Sequence, residues 1–456
     1  MNTKGIIEMQ RRFFQTDRTK SLKFRMKQLK KLARAIEMYE KDIWVALYRD
    51  LNKSKMEAYL TEIGIVKKEL QHTMKNLRKW DRKKKKKTPL YLMPAKSYQI
   101  RDPYGVVLIM SPWNYPFQLT FMPLIGAIAG GNCAIVKPSA YAEHTSNLIA
   151  KIIQETFRKN YITAVLGGRE ENQQLLKEKF DYIFFTGSTT VGKLVMEKAA
   201  KNVTPVTLEL GGKSPAILDQ KVNFNQAAKR IVFGKYTNAG QTCVAPDYLL
   251  VHKKDKETLV ANLKKWIDRF YPKDQNGFIA DYPKIINEKH MRRIIAYLND
   301  GSIEIGGRYD EEKRYMEPTV LAEISWDDSI MGEEIFGPIL PILEYEDLDQ
   351  VLSTLKNKPK PLALYLFTKK KRTEKKVSDQ LSFGGGCVND VIMHLASHYL
   401  SFGGVGESGM GSYHGEKSYQ TFTHEKSVLK KSMLLDLPIR YRPYTNCKEK
   451  IIRKIL

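Results

Sequence analysis

Between residues 106 and 219, short runs of β-branched and aromatic residues alternate with stretches of helical character, and this constrains the fold more than any other feature. The runs are Val-Val-Leu-Ile-Met from 106, Cys-Ala-Ile-Val-Lys from 133, Ile-Thr-Ala-Val-Leu from 162, Tyr-Ile-Phe-Phe-Thr from 182 and Val-Thr-Leu-Glu-Leu from 206. Strands of a parallel sheet read as near-continuous apolar runs because helices cover both faces. The pattern predicts βαβ units on a nucleotide-binding type of sheet. After Gly211 and Gly212 the alternation resumes to about residue 390, with helices near 223–235 and from Asn287 and strands near 319 and 339, so a second α/β domain is predicted.

A chain of 456 residues exceeds what one core usually organises. Ahead of the first sheet, Leu22, Met26, Leu29, Leu32, Ile36, Tyr39, Ile43 and Leu47 recur in steps of three and four, which predicts one face of a long amphipathic helix. A second helical stretch runs to about residue 80. The segment Arg82–Lys87 and the alternating residues Tyr98–Pro103 then suggest an exposed connection or a β-ribbon.

The net charge of +26 has two readings. Clustered cations gain from counterion release on nucleic acid or an anionic membrane. Lys is, however, spread along the whole chain and no aromatic-interleaved motif accompanies it, so a solvated surface is the expectation and no nucleic-acid partner is expected. Cys133, Cys243, Cys387 and Cys447 lie far apart, with no Cys-x-x-Cys pair and no histidines at ligand spacing, which argues against zinc and against a disulfide framework. No metal is expected. The N-terminus lacks the apolar stretch of a signal peptide and no run of about 18 apolar residues could span a bilayer, so a cytoplasmic protein without integral membrane association is the expectation.

Four short motifs carry possible chemistry. Cys243 ends Gly-Gln-Thr-Cys, where backbone N–H groups can converge to favour thiolate and to meet a developing oxyanion; a lone cysteine is more often a small buried apolar residue. Glu209 ends an apolar strand before two glycines, where partial desolvation raises a carboxylate toward the range of a general base. Asn114 lies in Pro-Trp-Asn-Tyr-Pro, a turn fixed by two prolines that holds a neutral amide donor. The segment Phe184–Lys193 passes from a strand through Gly187 and Ser188 into a helix, a geometry that aims free N–H groups at a pyrophosphate without matching Gly-x-Gly-x-x-Gly or a P-loop.

In order along the chain stand Pro-Trp-Asn-Tyr-Pro (112–116), Lys-Pro-Ser (137–139), Phe-Thr-Gly-Ser (185–188), Glu-Leu-Gly-Gly-Lys (209–213), Gly-Gln-Thr-Cys (240–243), Glu-Glu-Ile-Phe-Gly-Pro (333–338) and the glycine-rich run 401–411. This order resembles the aldehyde dehydrogenase superfamily over essentially the whole chain. Val-Ala-Pro-Asp-Tyr after Cys243, the segment from Val388 to His394 and Ser-Gly-Met-Gly from 408 are most similar to its class 3 branch, which is short at the N-terminus and dimeric.

The resemblance implies an α/β fold with a Rossmann-like cofactor domain (1–82 and 106–208), an α/β catalytic domain (209–390) and a bridging oligomerisation element (83–105 with 391–456), paired as a homodimer. It implies Cys243 as nucleophile, Asn114 with the Cys243 N–H as oxyanion donors, and Glu209 as the base that activates water against the thioester. NAD or NADP would be held by Trp113, Lys137, Gly187, Ser188, Phe336 and Glu334, with Glu333 one place away from the last. Ala140 stands where many relatives have a glutamate after Lys-Pro-Ser, which removes a carboxylate that would repel a 2′-phosphate and leads to the expectation that NADP is accepted. The substrate implied is a medium- or long-chain aliphatic or aromatic aldehyde, with Tyr115 suited to an apolar tunnel. Three rivals remain at this stage: a coenzyme A-acylating enzyme, which has little use for Glu209; a basic nucleic-acid-binding protein on an enzyme fold; and a non-catalytic relative, disfavoured by the presence of Cys243, Glu209 and Asn114 together.

Overall fold

A computed structural model describes residues 3–455. The helices Thr3–Phe14, Leu22–Met38, Glu40–Leu51 and Gly64–Trp80 form an N-terminal layer. The single helix expected from Leu22 to Leu47 is two. Tyr39 caps the first, its N–H returning to Ala35 O, and Glu40 and Asp42 open the next first turn, where acids complement the helix dipole. The apolar stripe runs on across the break, and Leu29, Leu32, Ile36, Ile43 and Leu47 are all fully buried.

All five β-branched runs between 106 and 209 are strands of one sheet, ordered Val206–Glu209, Tyr182–Thr186, Val106–Met110, Cys133–Lys137, Ile162–Ala164 and parallel throughout. A second, seven-stranded sheet contains Pro215–Leu218, Tyr248–His252, Thr319–Ala322, Ile339–Tyr345, Ala363–Phe367 and Gly385–Val388 in parallel pairs, with Ser302–Ile305 antiparallel at one edge. Phe224–Tyr236 and Glu288–Ala296 are its expected helices, the latter capped by Asn287.

The Lys run is a strand rather than a loop. Lys84–Lys86 pairs with Ala95–Pro103, whose other side takes Thr423–Lys431 over nine register pairs, all antiparallel. All three lysines are exposed, so the edge is charged in the manner that discourages edge-to-edge association.

Residues 391–456, expected to form part of the bridging element and a C-terminal tail, also contribute to the first sheet. Gly409–Met410 returns to the first sheet and pairs antiparallel with Val206–Glu209, Gly409 opposite Glu209. Glycine permits the approach: Gly409 has φ +143° and a Cβ there would lie 2.2 Å from Leu208 O. No hydrophobic period marks a two-residue strand in a glycine-rich run, so the pattern could not show it. Beyond it, Phe422 packs on Phe184 and Tyr182 and against Gly126 of the helix Gln118–Gly130, while Asn132 Nδ2 donates to its carbonyl.

Phe422→Ala is expected to cost about 3–5 kcal/mol, measured by denaturant unfolding. A loss below about 1 kcal/mol would show that this segment is not integral to the first sheet.

Candidate active site

The chain leaves the first sheet at Glu209 and enters the second at Pro215, so the carboxyl ends of the first sheet's parallel strands meet the amino ends of the second sheet's strands near this crossing. Glu209 is the last residue of its strand. Its backbone is pinned on both sides, with Gly187 N donating to Glu209 O at 3.0 Å and Leu210 N to Ser408 O at 3.1 Å. Its side chain is 2% exposed and neither carboxylate oxygen has a hydrogen-bond partner. Burial alone pushes its pKa well above the usual carboxylate range.

Cys243 follows a turn in which Asn238, Ala239 and Gly240 take φ of +55°, +50° and +72°. Gly240 is required by contact, since a Cβ would lie 2.2 Å from Gly337 O. Cys243 keeps part of its surface open to a cavity. The thiolate expected from converging N–H groups is not favoured here. Burial first, then the nearby Glu334 and Glu209 carboxylates, push the thiol up, and the N–H groups of Cys243 and Val244 offset only part of that. The resting group is a thiol.

Asn114 is 3% exposed, and its Nδ2 donates to Gln241 O at 3.0 Å, which leaves one amide proton uncommitted. Tyr115 OH lies 2.5 Å from Thr242 Oγ1, next to Cys243. Asn114, Glu209 and Cys243, separated by up to 129 positions in sequence, thus converge on one place.

The residues expected at the cofactor fall into two groups. Trp113 stands 5.4 Å, ring to ring, from both His290 and Phe336, and Phe336 itself has φ +49°. Gly187 and Ser188 precede the helix Thr189–Ala200, with Ser188 Oγ accepting from Val191 N. Glu334, not Glu333, faces inward. It is half-buried, with its pKa raised well above the ordinary value by desolvation and then by Asp247, and a Cβ on Gly211 would lie 1.8 Å from its Oε2. Glu333 points out to Tyr297 and Arg293. Lys137, expected at the adenosine ribose, ends its strand with its ammonium held by two backbone carbonyls. Its Nζ donates to Pro138 O at 2.9 Å and Gly167 O at 2.6 Å, and burial lowers its pKa. One proton of three remains for a ligand.

The donor set suits a nicotinamide dinucleotide. A helix N-terminus beyond parallel strands suits a pyrophosphate, an inward carboxylate with no side-chain partner suits ribose hydroxyls, and Trp113 with Phe336 offers flat apolar surface.

Several participants had no visible signal. The 333–338 loop is held by Asp247, which accepts from Ile335 N at 3.0 Å and from Lys213 at 2.6 Å, and by Arg293, which donates to the carbonyls of Glu334 and Ile335. Tyr413 and His414 line the cavity beside Glu209, and burial lowers the His414 pKa to about 4, so the ring is neutral. Asp247 lay within the quoted motif Val-Ala-Pro-Asp-Tyr; nothing in residue spacing distinguished the others.

Residues 2–428 match the Aldehyde dehydrogenase family. The chain belongs to the aldehyde dehydrogenase family. It is similar to a 4,4′-diaponeurosporen-aldehyde dehydrogenase of Staphylococcus aureus, 52% identical over 95% of this chain and 94% of the relative. It is 42% identical to the aldehyde dehydrogenase family 3 member A2 of Macaca fascicularis, over 97% and 91%. Among solved structures, a substrate-bound state of Staphylococcus aureus AldH superposes with a TM-score of 0.97 at 50% identity, covering 100% of this chain and 99% of that one. A betaine aldehyde dehydrogenase of Staphylococcus aureus in complex with NAD+ gives 0.85 at 26% identity, over 96% and 88%. As a member of the class 3-like branch of aldehyde dehydrogenases, this chain is an oxidoreductase acting on aldehydes with NAD or NADP.

With Cys243 held as a thiol, its alkylation by iodoacetamide in the cofactor-free enzyme is expected to keep accelerating as pH rises through about 9, the ordinary thiol value. A rate already at its plateau near neutral pH would contradict this electrostatic account.

Proposed function

We propose that this aldehyde dehydrogenase oxidises a medium- or long-chain aliphatic or aromatic aldehyde to the carboxylic acid through Cys243. The observation that carries the reading is a cavity of about 430 Å³ that is lined by Cys243 and Glu209 and otherwise mainly by apolar side chains, Tyr115, Leu119, Phe233 and Leu395 among them.

Cys243 Sγ attacks the carbonyl carbon; the S–C bond forms, the carbonyl π pair moves to oxygen, and Asn114 Nδ2 with the Cys243 N–H meets the resulting oxyanion. The thiol proton leaves to solvent in the cavity onto which Cys243 opens, which keeps Glu209 free for the later hydrolytic step. NAD or NADP, held by Trp113, Lys137, Gly187, Ser188, Phe336 and Glu334, would supply the hydride acceptor by which the thiohemiacetal at Cys243 becomes a thioester. Water then attacks the thioester, Glu209 takes its proton, and Cys243 leaves as the acid is released. A carboxylate with both oxygens free is suited to orienting water, which favours hydrolysis over transfer to coenzyme A.

We assign the cofactor to residues 1–82 with 106–208, chiefly Trp113, Lys137, Gly187 and Ser188, with Phe336 and Glu334 contributed from the catalytic domain. Acceptance of NADP is supported by Ala140, an exposed position without a carboxylate. A preference for NAD over NADP in kcat/KM of about a hundredfold or more would remove this part of the proposal. Homodimer formation is supported by the C-terminal segment, where Met433, Leu434 and Leu435 are 99%, 93% and 65% exposed and the helix Asn446–Ile455 buries no residue of its own. Such a helix is too short to be stable alone and needs a covering surface. Four free cysteines, one of them the nucleophile, support a reducing, cytoplasmic setting. Among the described residues no helix is long and apolar enough to cross a membrane.

The test is reduction of NAD and NADP at 340 nm with hexanal and benzaldehyde. Cys243→Ala is expected to abolish it. Glu209→Gln is expected to retain a stoichiometric first-turnover burst and lose steady-state turnover by about 10²–10⁴. Full turnover in Glu209→Gln, or acyl-coenzyme A as the product when coenzyme A is supplied, would overturn the hydrolytic reading.

A further inference from the structure

Three charged residues of the N-terminal layer have no place in the mechanism above, yet they are buried beside it. Lys53 and Glu62 are both 0% exposed and their ammonium and carboxylate lie 2.5 Å apart. Lys53 is fully used: besides Glu62 Oε1, Nζ donates to Asn114 O at 2.9 Å and sits 4.1 Å from the centre of the Tyr115 ring. The other oxygen of Glu62 accepts from Phe117 N at 2.8 Å and Gln118 N at 3.2 Å. Lys53 and Glu62 together therefore hold the turn 114–118 at both ends.

Glu57 reaches the opposite side of the site. Its Oε1 accepts at 2.8 Å from the N–H of Asn238, the first left-handed residue of the nucleophile turn. Burial pushes the Glu57 carboxyl up, and Lys53 draws it back down. The circuit closes through Asn238, whose Nδ2 donates to Asn114 O at 2.9 Å and to Gln241 O at 3.1 Å, the same carbonyl that Asn114 Nδ2 meets. Local backbone geometry helps. Residues five apart stand about 140° apart around an α-helix, and the π-helical turn Tyr59–Ile63 narrows that angle for Glu57 and Glu62.

A buried ion pair is weak evidence for stability, because apolar residues of similar volume commonly serve as well. The contacts made here are specific to two catalytic turns that come from different sheets. We propose that Lys53, Glu57 and Glu62 form a positioning cluster that fixes the oxyanion turn at Asn114 against the loop carrying Cys243, so that the Asn114 amide meets the carbonyl oxygen. None of the three is placed to touch substrate. The inference rests on the reading of Asn114 as an oxyanion donor.

The test is a double-mutant cycle in the full-length enzyme, combining Lys53→Met and Glu62→Gln each with Asn114→Ala. Each of the first two substitutions is expected to lower kcat by about tenfold or more with KM for the aldehyde changed by less than about threefold. The rate of Cys243 alkylation should stay within about threefold of wild type, which reports an intact nucleophile loop. In the Asn114→Ala background the same substitutions should cost less than about twofold, because the group they position is gone. Losses that simply multiply, or a rise in KM at unchanged kcat, would overturn the proposal. An Asn114→Ala enzyme that keeps its full kcat removes the oxyanion reading first and the cluster's role with it. Should Lys53→Met leave Glu62 too poorly paired to fold, Lys53→Met/Glu62→Gln carries no lone buried charge and takes its place. Failure of that variant to fold would make the cluster a folding element and overturn the positioning role.

Discussion

Two acids and a thiol, Glu209 buried and Glu334 and Cys243 half-buried, are desolvated together where the strand ends of two sheets meet, and the rest of the site follows from the cost of charging them there. Glu209 has no partner for either oxygen, Glu334 takes a backbone N–H from Gly212, and Cys243 lies within the field of both. Desolvation favours the neutral form of each, and the two carboxylates add to the cost of ionising Cys243.

The supporting shell is consequently more polar than the reacting centre. Asp247, Lys213 and Arg293 hold the 333–338 loop through its backbone, and Lys53, Glu57 and Glu62 hold the turns at Asn114 and Asn238. In both places long charged side chains spend their hydrogen bonds on main-chain atoms of neighbouring loops rather than on ligand. Loops with left-handed residues at 238–240 and 336 would otherwise relax, since such conformations persist only where surrounding contacts over-determine them.

How much of this was legible in the sequence follows from the range of each interaction. The first sheet was readable because five apolar runs report burial on both faces, a property local to each strand. Its two-residue antiparallel edge at Gly409–Met410 was not, because pairing there depends on backbone approach allowed by glycine and not on any side-chain period. The residues proposed to react were named through a family resemblance, and desolvation of Glu209 was anticipated from its apolar neighbours Leu208 and Leu210. The state of Cys243 was misjudged for a physical reason: N–H groups in its own turn can be inferred from local sequence, whereas the field of Glu334, 91 positions away, cannot.

The same limit explains why Lys53 and Glu62 drew no notice. In sequence they belong to an N-terminal helical region whose charged residues read as solvated, and the apolar period of that region is satisfied without them. Only the fold shows that the face carrying them is turned toward the 112–118 turn, where water is absent and a charge is tolerated only with full pairing. Burial with complete hydrogen bonding is what separates such a residue from the many surface lysines of this chain, and it is a property of the assembled layers alone. A lysine's role here is set by what the second sheet and the 114 turn present to it, so a substitution at Lys53 belongs with the active site even though its nearest helix does not.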